Sequence, residues 1–166
     1  MELTGKRILL ADLDGTLIKT ASGKTFAEDV TDFRIRKDVL DKIKGIKSLE
    51  AIIIVRNQGG IPDFVDESDF RVKIYTISTF MQRYCHKLTT YGYCTSKDSV
   101  DLRKPNTGML EEALKQRPFE GFFFAKSEML MIGDASGKPG QFSDSDKKCA
   151  ENFGIDYLDV EDFLKA

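Results

Sequence analysis

The sequence predicts an α/β fold in which a central parallel sheet is covered by helices on both faces. Three observations carry this. Short, wholly apolar runs have the character of buried parallel strands. Stretches with helical spacing of apolar residues separate them. Polar clusters stand at the ends of three of the runs, where ligands of such sheets bind.

The elements follow in order. Ile8-Leu9-Leu10-Ala11 is a short apolar run ending in Asp12-Leu13-Asp14-Gly15, as expected of a buried strand with acids at its carboxyl end. Residues 17–34 are polar and lack apolar periodicity, so they are read as a flap. Val39, Leu40, Ile43 and Ile46 define one face of a helix over 36–47. The β-branched run Ala51-Ile52-Ile53-Ile54-Val55 is the clearest strand, closed by the loop signal Arg56-Asn57-Gln58-Gly59-Gly60. Phe70, Ile74, Ile77, Met81 and Tyr84 predict a helix over about 67–85, capped by Asp66 or Ser68. A weaker strand is placed at Leu88–Cys94 and a helix from about Thr107 to Gln116. Met129-Leu130-Met131-Ile132 is a strand ending in Gly133-Asp134. A helix over 145–153 stops at Gly154, and Ile155–Leu158 forms a last strand before a terminal helix.

Composition narrows the function. The chain has 166 residues, 41% hydrophobic and 31% charged, which suits one soluble globular domain over 1–166. Lys and Arg number 25 against 27 Asp and Glu, a net charge of -2. That excludes coating nucleic acid through bulk positive charge but leaves room to grip a strand end with a few local cations. No apolar run approaches the roughly 20 residues of a membrane span. The amino-terminal residues lack a signal-peptide pattern. Three cysteines give no disulfide framework, so a reducing, cytoplasmic setting is expected.

If the sheet forms, Asp12/Asp14, Arg56/Asn57 and Asp134 converge at one rim. Two carboxylates two residues apart repel unless a cation separates them or one holds a proton. With Asp134 they offer three oxygen donors suited to Mg²⁺. A carboxylate can also act as nucleophile towards phosphorus, with a second as general acid and base. Strand-end aspartates also serve simply as turn formers.

The pattern extends further. Asp12-Leu13-Asp14-Gly15-Thr16-Leu17, Arg103-Lys104-Pro105 and Gly133-Asp134 resemble the haloacid dehalogenase (HAD) superfamily of aspartate-nucleophile phosphatases. Thr20–Phe26, Asn57–Ile61, Arg103–Met109, Gly133–Lys138 and Phe142–Asp146 narrow the resemblance to the 3′-phosphatase domain of polynucleotide kinase/phosphatase enzymes, over roughly residues 8–162. The resemblance implies a three-layer, Rossmann-like HAD fold with a small flap in place of a large cap domain. It implies that Asp12 is the nucleophile and that Asp14 is the general acid and base, meeting Mg²⁺ through its backbone carbonyl. Asp134 is a further metal ligand, and Lys104 neutralises phosphate and nucleophile. Asp146 matches the second acidic position of the last motif, with Asp144 as its competitor. Lys19, Thr20, Ser22 and Lys24 of the flap are candidates to line the path of a nucleic-acid 3′-phosphate end.

Two departures stand out. Where such families place Thr or Ser before Asn57, this chain has Arg56. The guanidinium replaces the hydroxyl as phosphate ligand, or points outward, or leaves the task to Asn57 or a backbone N–H. The family's flap Trp is Phe33. Gly23-Lys24-Thr25 lacks the earlier glycine of a phosphate-binding kinase loop, because position 18 is Ile18; a stand-alone phosphatase is expected. Cys85, His86 and Cys94 fall short of the zinc set of related small-molecule phosphatases. Cys149 is read as a packed thiol. Lys147 and Lys148 are read as a solvated helix face. Phe122-Phe123-Phe124 is a strand segment, a packing cluster or a stacking surface. Removal of a 3′-phosphate from DNA or RNA is the leading reading. A sugar or histidinol-type phosphate ester as substrate, and a non-catalytic module that binds phosphate ends, are the alternatives.

Overall fold

The computed structural model describes residues 1–166. Its strands are β1 (Ile8–Ala11), β2 (Ile18–Lys19), β3 (Arg34–Ile35), β4 (Ala51–Asn57), β5 (Leu88–Cys94), β6 (Met129–Gly133) and β7 (Asp156–Asp159). Five of them form one sheet in the order β5-β4-β1-β6-β7, and all its pairings are parallel. β1 lies at the centre, with Ala11 opposite Ile54 on one side and Ile132 on the other. The chain leaves β1 towards β4 and β5, then returns to build β6 and β7 on the far side. That reversal opens a crevice between the carboxyl ends of β1 and β6, where α/β sheets bind ligands.

Alternation along the strands sorts the core into two layers. Leu9, Ala11, Ile52, Ile54, Leu130 and Ile132 face helices α1 (Lys37–Gly45), α2 (Glu67–Cys85) and the terminal helix. Ile8, Leu10, Ile53, Val55, Met129 and Met131 face α3 (Gly108–Leu114) and α4 (Ser145–Phe153). The terminal helix α5 (Val160–Lys165) contributes Val160 and Phe163 to the first layer.

Local chemistry sets the helix ends. Asp66 accepts from the N–H groups of Ser68 (2.8 Å) and Asp69 (3.2 Å), capping α2; losing such a cap costs about 1 kcal/mol. α4 ends where Gly154 turns left-handed at φ 77°. The helix expected over 107–116 stops at Leu114, and a 3₁₀ turn holding Pro118 follows at Arg117–Phe119. Pro118 lacks the N–H that a continuing helix would need.

β2 and β3 pair antiparallel and form the base of the flap. Inside it, Asp32 accepts from the Ser22 N–H (2.7 Å), the Ser22 hydroxyl (2.7 Å) and the Glu28 N–H (2.9 Å). These bonds, the Glu28 N–H foremost, lower its carboxyl to about 2. No strand forms at Phe122-Phe123-Phe124: Phe122 and Phe123 are exposed, and Phe124 packs against the second core layer. Cys85 stands at the end of α2 and Cys94 at the carboxyl end of β5, so they share no metal site. No helix is long and apolar enough to cross a membrane.

Candidate active site

Asp12 follows directly on β1 and is 3% exposed. Its N–H donates to Ile132 O at 3.0 Å, which carries the β1–β6 ladder one residue further and fixes the acid at the crevice. Lys104 enters from the loop before α3 and is also buried. Its Nζ donates to Asp12 Oδ1 (2.7 Å), Asp146 Oδ1 (2.7 Å) and Val55 O (2.9 Å), so every N–H of the ammonium has an acceptor. Burial works against the charge, but Asp12 and Asp146 outweigh it and push the lysine up to about 12.

Asn57 holds Lys104 in place. Its Oδ1 accepts from Lys104 N at 2.9 Å and its Nδ2 donates to Lys104 O at 3.0 Å. The amide thus spends its oxygen and one of its two N–H groups on the Lys104 backbone.

Asp134 follows β6, and Asp146 comes from the first turn of α4. Asp12, Asp134 and Asp146 each bring a carboxylate oxygen within 4.8 Å of the others. The backbone is shaped to allow this. A Cβ on Gly15 would lie 1.9 Å from Asp134 Oδ2, and one on Gly133 would lie 2.3 Å from Asp146 Oδ2. Asp146 is held further by the Ala135 N–H, which donates to Oδ2 at 3.2 Å.

Crowding shows in the protonation of these acids. Burial first, then the charges of Asp12 and Asp146, push the Asp134 carboxyl up to about 7. Burial and Asp12 also raise Asp146, against the pull of Lys104. Three convergent hard oxygen donors with an excess of negative charge fit Mg²⁺. The carboxylate of Asp14 is not among them. It is half exposed and meets Arg56 Nη2 at 2.9 Å, so Asp146 is the third converging acid where the pattern of strand ends put Asp14.

Arg56 points inward, which removes the outward alternative. Its guanidinium spans Asp14 (2.9 Å) and Asp12 (3.8 Å), and its Nε donates to Gln58 Oε1 at 3.3 Å. Burial opposes its charge, while Asp12 and Asp14 hold its pKa above the usual value. Most of the remaining candidates have partners of their own. Asp144 pairs with Lys148 at 2.7 Å ahead of α4. The Ser22 hydroxyl is engaged with Asp32, Lys24 pairs with Glu28, and Thr20 Oγ1 donates to Lys24 O at 2.6 Å. Lys19 is exposed at the flap base. Sequence reasoning passed over Lys73, a buried lysine of α2. Its position three residues after Phe70 and four before Ile77 sets it on the apolar face, and that spacing was the available signal.

The model of the family "Polynucleotide kinase 3 phosphatase" matches residues 7–164. A bifunctional polynucleotide phosphatase/kinase of Schizosaccharomyces pombe is 34% identical, over 96% of this chain and 38% of the relative. The histidine biosynthesis bifunctional protein HisB of Legionella pneumophila is 32% identical, over 93% of this chain and 41% of the relative. The chain thus spans about two fifths of the length of these relatives. Among solved structures, a D,D-heptose 1,7-bisphosphate phosphatase of B. bronchiseptica, complexed with magnesium and phosphate, superposes with TM-score 0.66 at 15% identity, covering 91% of this chain and 78% of its own. A HAD-like phosphatase of Mesorhizobium loti gives TM-score 0.65 at 20% identity, covering 90% and 69%. The family match over residues 7–164 leads to one conclusion: the chain, whose fold is shared with HAD-like phosphatases, belongs to the polynucleotide kinase 3 phosphatase family.

Proposed function

We infer that this chain is a Mg²⁺-dependent phosphatase that removes a terminal 3′-phosphate from nucleic-acid ends and leaves a 3′-hydroxyl. The observation that carries the chemistry is Asp12, buried at the crevice with one oxygen on Lys104 and its second oxygen free of protein hydrogen bonds. That oxygen is the nucleophile. It forms a bond to phosphorus while the bond from phosphorus to the 3′ oxygen breaks, giving an aspartyl-phosphate. The leaving oxygen takes a proton from Asp14. In the second step Asp14, now a carboxylate, takes a proton from a water that attacks phosphorus, freeing inorganic phosphate and Asp12. Lys104 and Arg56 offset the charge on the transferring group throughout, which is the main demand of phosphoryl transfer. Asp12, Asp134 and Asp146, with the Asp14 carbonyl that the family pattern implies, would hold Mg²⁺. When bound, the ion supplies charge neutralisation and orientation of the phosphate.

A polymer end is favoured by the rim. Phe26 of the flap and Phe142 of the β6–α4 loop are 75% and 86% exposed, with ring centroids 6.0 Å apart. Large apolar side chains held in water on the flap and on the loop that follows Asp134 suit stacking against bases. The flap is short, so the crevice stays open to a bulky substrate. The likeness to HisB and to the heptose bisphosphatase keeps a small phosphate ester as the competing substrate.

The test is a panel with Mg²⁺ of 3′-phosphorylated DNA and RNA oligonucleotides against sugar and amino-alcohol phosphates. A kcat/KM at least about 100-fold higher on the oligonucleotides supports the reading. Equal or better turnover of the small esters overturns it.

A further inference from the structure

Four lysines are buried in this fold: Lys6, Lys73, Lys87 and Lys104. Three have acceptors. Lys6 donates to Ser127 O at 2.6 Å and pairs with Asp156. Lys87 donates to Ile46 O (2.9 Å) and Leu49 O (2.8 Å). Lys104 has the three acceptors described above. Lys73 is as buried as Lys87, at 9% exposure, yet its ammonium makes no hydrogen bond and has no carboxylate within 4 Å. The stem of Lys73 is buried while its ammonium still reaches water, so an unpaired positive charge is left open to a partner that arrives from outside.

Its surroundings say where that partner would lie. Lys73 sits on the face of α2 that also carries Phe70, Ile74 and Ile77. Its Nζ stands 5.3 Å from the centre of the Phe33 ring at the flap base. Burial pushes its pKa down, and the charges acting on it come from two sides: Asp14 and Arg56 of the active site, Asp32 and Asp29 of the flap. Lys73 therefore occupies the seam between the flap base and the catalytic centre, within the electrostatic reach of both. The phosphate being transferred already has Lys104 and Arg56.

We propose that Lys73 is a second-anion contact that binds the phosphodiester immediately preceding the 3′-terminal nucleoside, using the acceptor-free ammonium that reaches solvent between flap and active site. The assignment rests on the nucleic-acid reading above and adds the residue that reads the polymer. It acts on binding, so its loss raises KM and leaves kcat in place.

The experiment compares the unmodified protein and Lys73→Met on three substrates. These are a short 3′-phosphorylated oligonucleotide, the same oligonucleotide with an uncharged methylphosphonate at the last linkage, and a mononucleoside 3′-phosphate. For Lys73→Met, KM on the charged oligonucleotide rises about tenfold, with kcat within about twofold. The dependence of log KM on log salt becomes shallower by about 0.7, as for one lost phosphate contact on a single strand. On the methylphosphonate and the mononucleotide the two proteins behave alike. Lys73→Arg restores most of the affinity, and it serves as the working comparison should Lys73→Met fail to fold. Equal effects on all three substrates would place Lys73 at the transferred phosphate or in the packing and overturn the proposal, as would no effect at all. If the unmodified protein prefers the mononucleotide, the nucleic-acid reading itself fails. If it prefers the charged oligonucleotide and Lys73→Met does not alter that preference, the proposal alone fails.

Discussion

Arg56 reaches two acids at once, Asp14 at 2.9 Å and Asp12 at 3.8 Å. A guanidinium presents a planar fork that suits phosphate as well as carboxylate, so an incoming phosphate competes with Asp14 for it. Arg56→Ala should raise KM for any phosphate ester about 10- to 100-fold, the worth of one charge-assisted contact, in steady-state assays. Asp12→Asn keeps the size of the side chain and removes the proposed nucleophile; turnover should fall by at least about 1,000-fold while the circular dichroism spectrum stays unchanged. Asp134 makes a different prediction. Its carboxyl sits near 7 in the fold against 3.8 for an ordinary aspartate. Between those values the folded chain holds a proton that the unfolded chain has released, so stability falls as pH rises from about 4 to about 7. Thermal melts in chelator should show that decline, and Asp134→Asn should flatten it. Added Mg²⁺ should lift the Tm most at the upper end of the window, where the carboxylates are ionised.

The strands and helices were written plainly in apolar spacing. The five-position run from Phe70 to Tyr84 and the acid at Asp66 mark α2 at Glu67–Cys85. The strand at Leu88–Cys94 and the helix at Ser145–Phe153 lie where the pattern puts them. Strand ends are also legible, because an apolar run that stops at a polar residue marks the rim of a parallel sheet; Asp12, Arg56 and Asp134 come together for that reason. Side-chain partners were harder to read. Nothing in the run Arg56-Asn57-Gln58 tells that Asn57 turns to the Lys104 backbone, 47 residues away in sequence. Asp146 was separable from Asp144 by spacing, since it shares a helix face with the buried Cys149 and Ala150. Asn57→Ala tests what that clamp contributes. It should lower kcat by at least about tenfold by loosening Lys104 and cost only about 1–3 kcal/mol of stability by denaturant unfolding, the range for lost hydrogen bonds at a partly buried site.

Across the molecule, the reversal of the chain at β1 brings groups from four segments to one crevice: Asp12, Arg56, Lys104 and the pair Asp134/Asp146. Rigid strands and buried backbone bonds hold these groups before any substrate arrives, which is what charge stabilisation of a transferring phosphate requires. The excess of carboxylates over nearby cations leaves the centre short of positive charge, which one divalent ion among Asp12, Asp134 and Asp146 would balance. Anomalous diffraction from crystals soaked in Mn²⁺, an oxygen-seeking stand-in for Mg²⁺, tests this directly. The account predicts one strong peak in contact with the carboxylates of Asp12 and Asp134 and adjoining Asp146. A crevice without a peak at saturating Mn²⁺, or a peak bound away from Asp12, would contradict it.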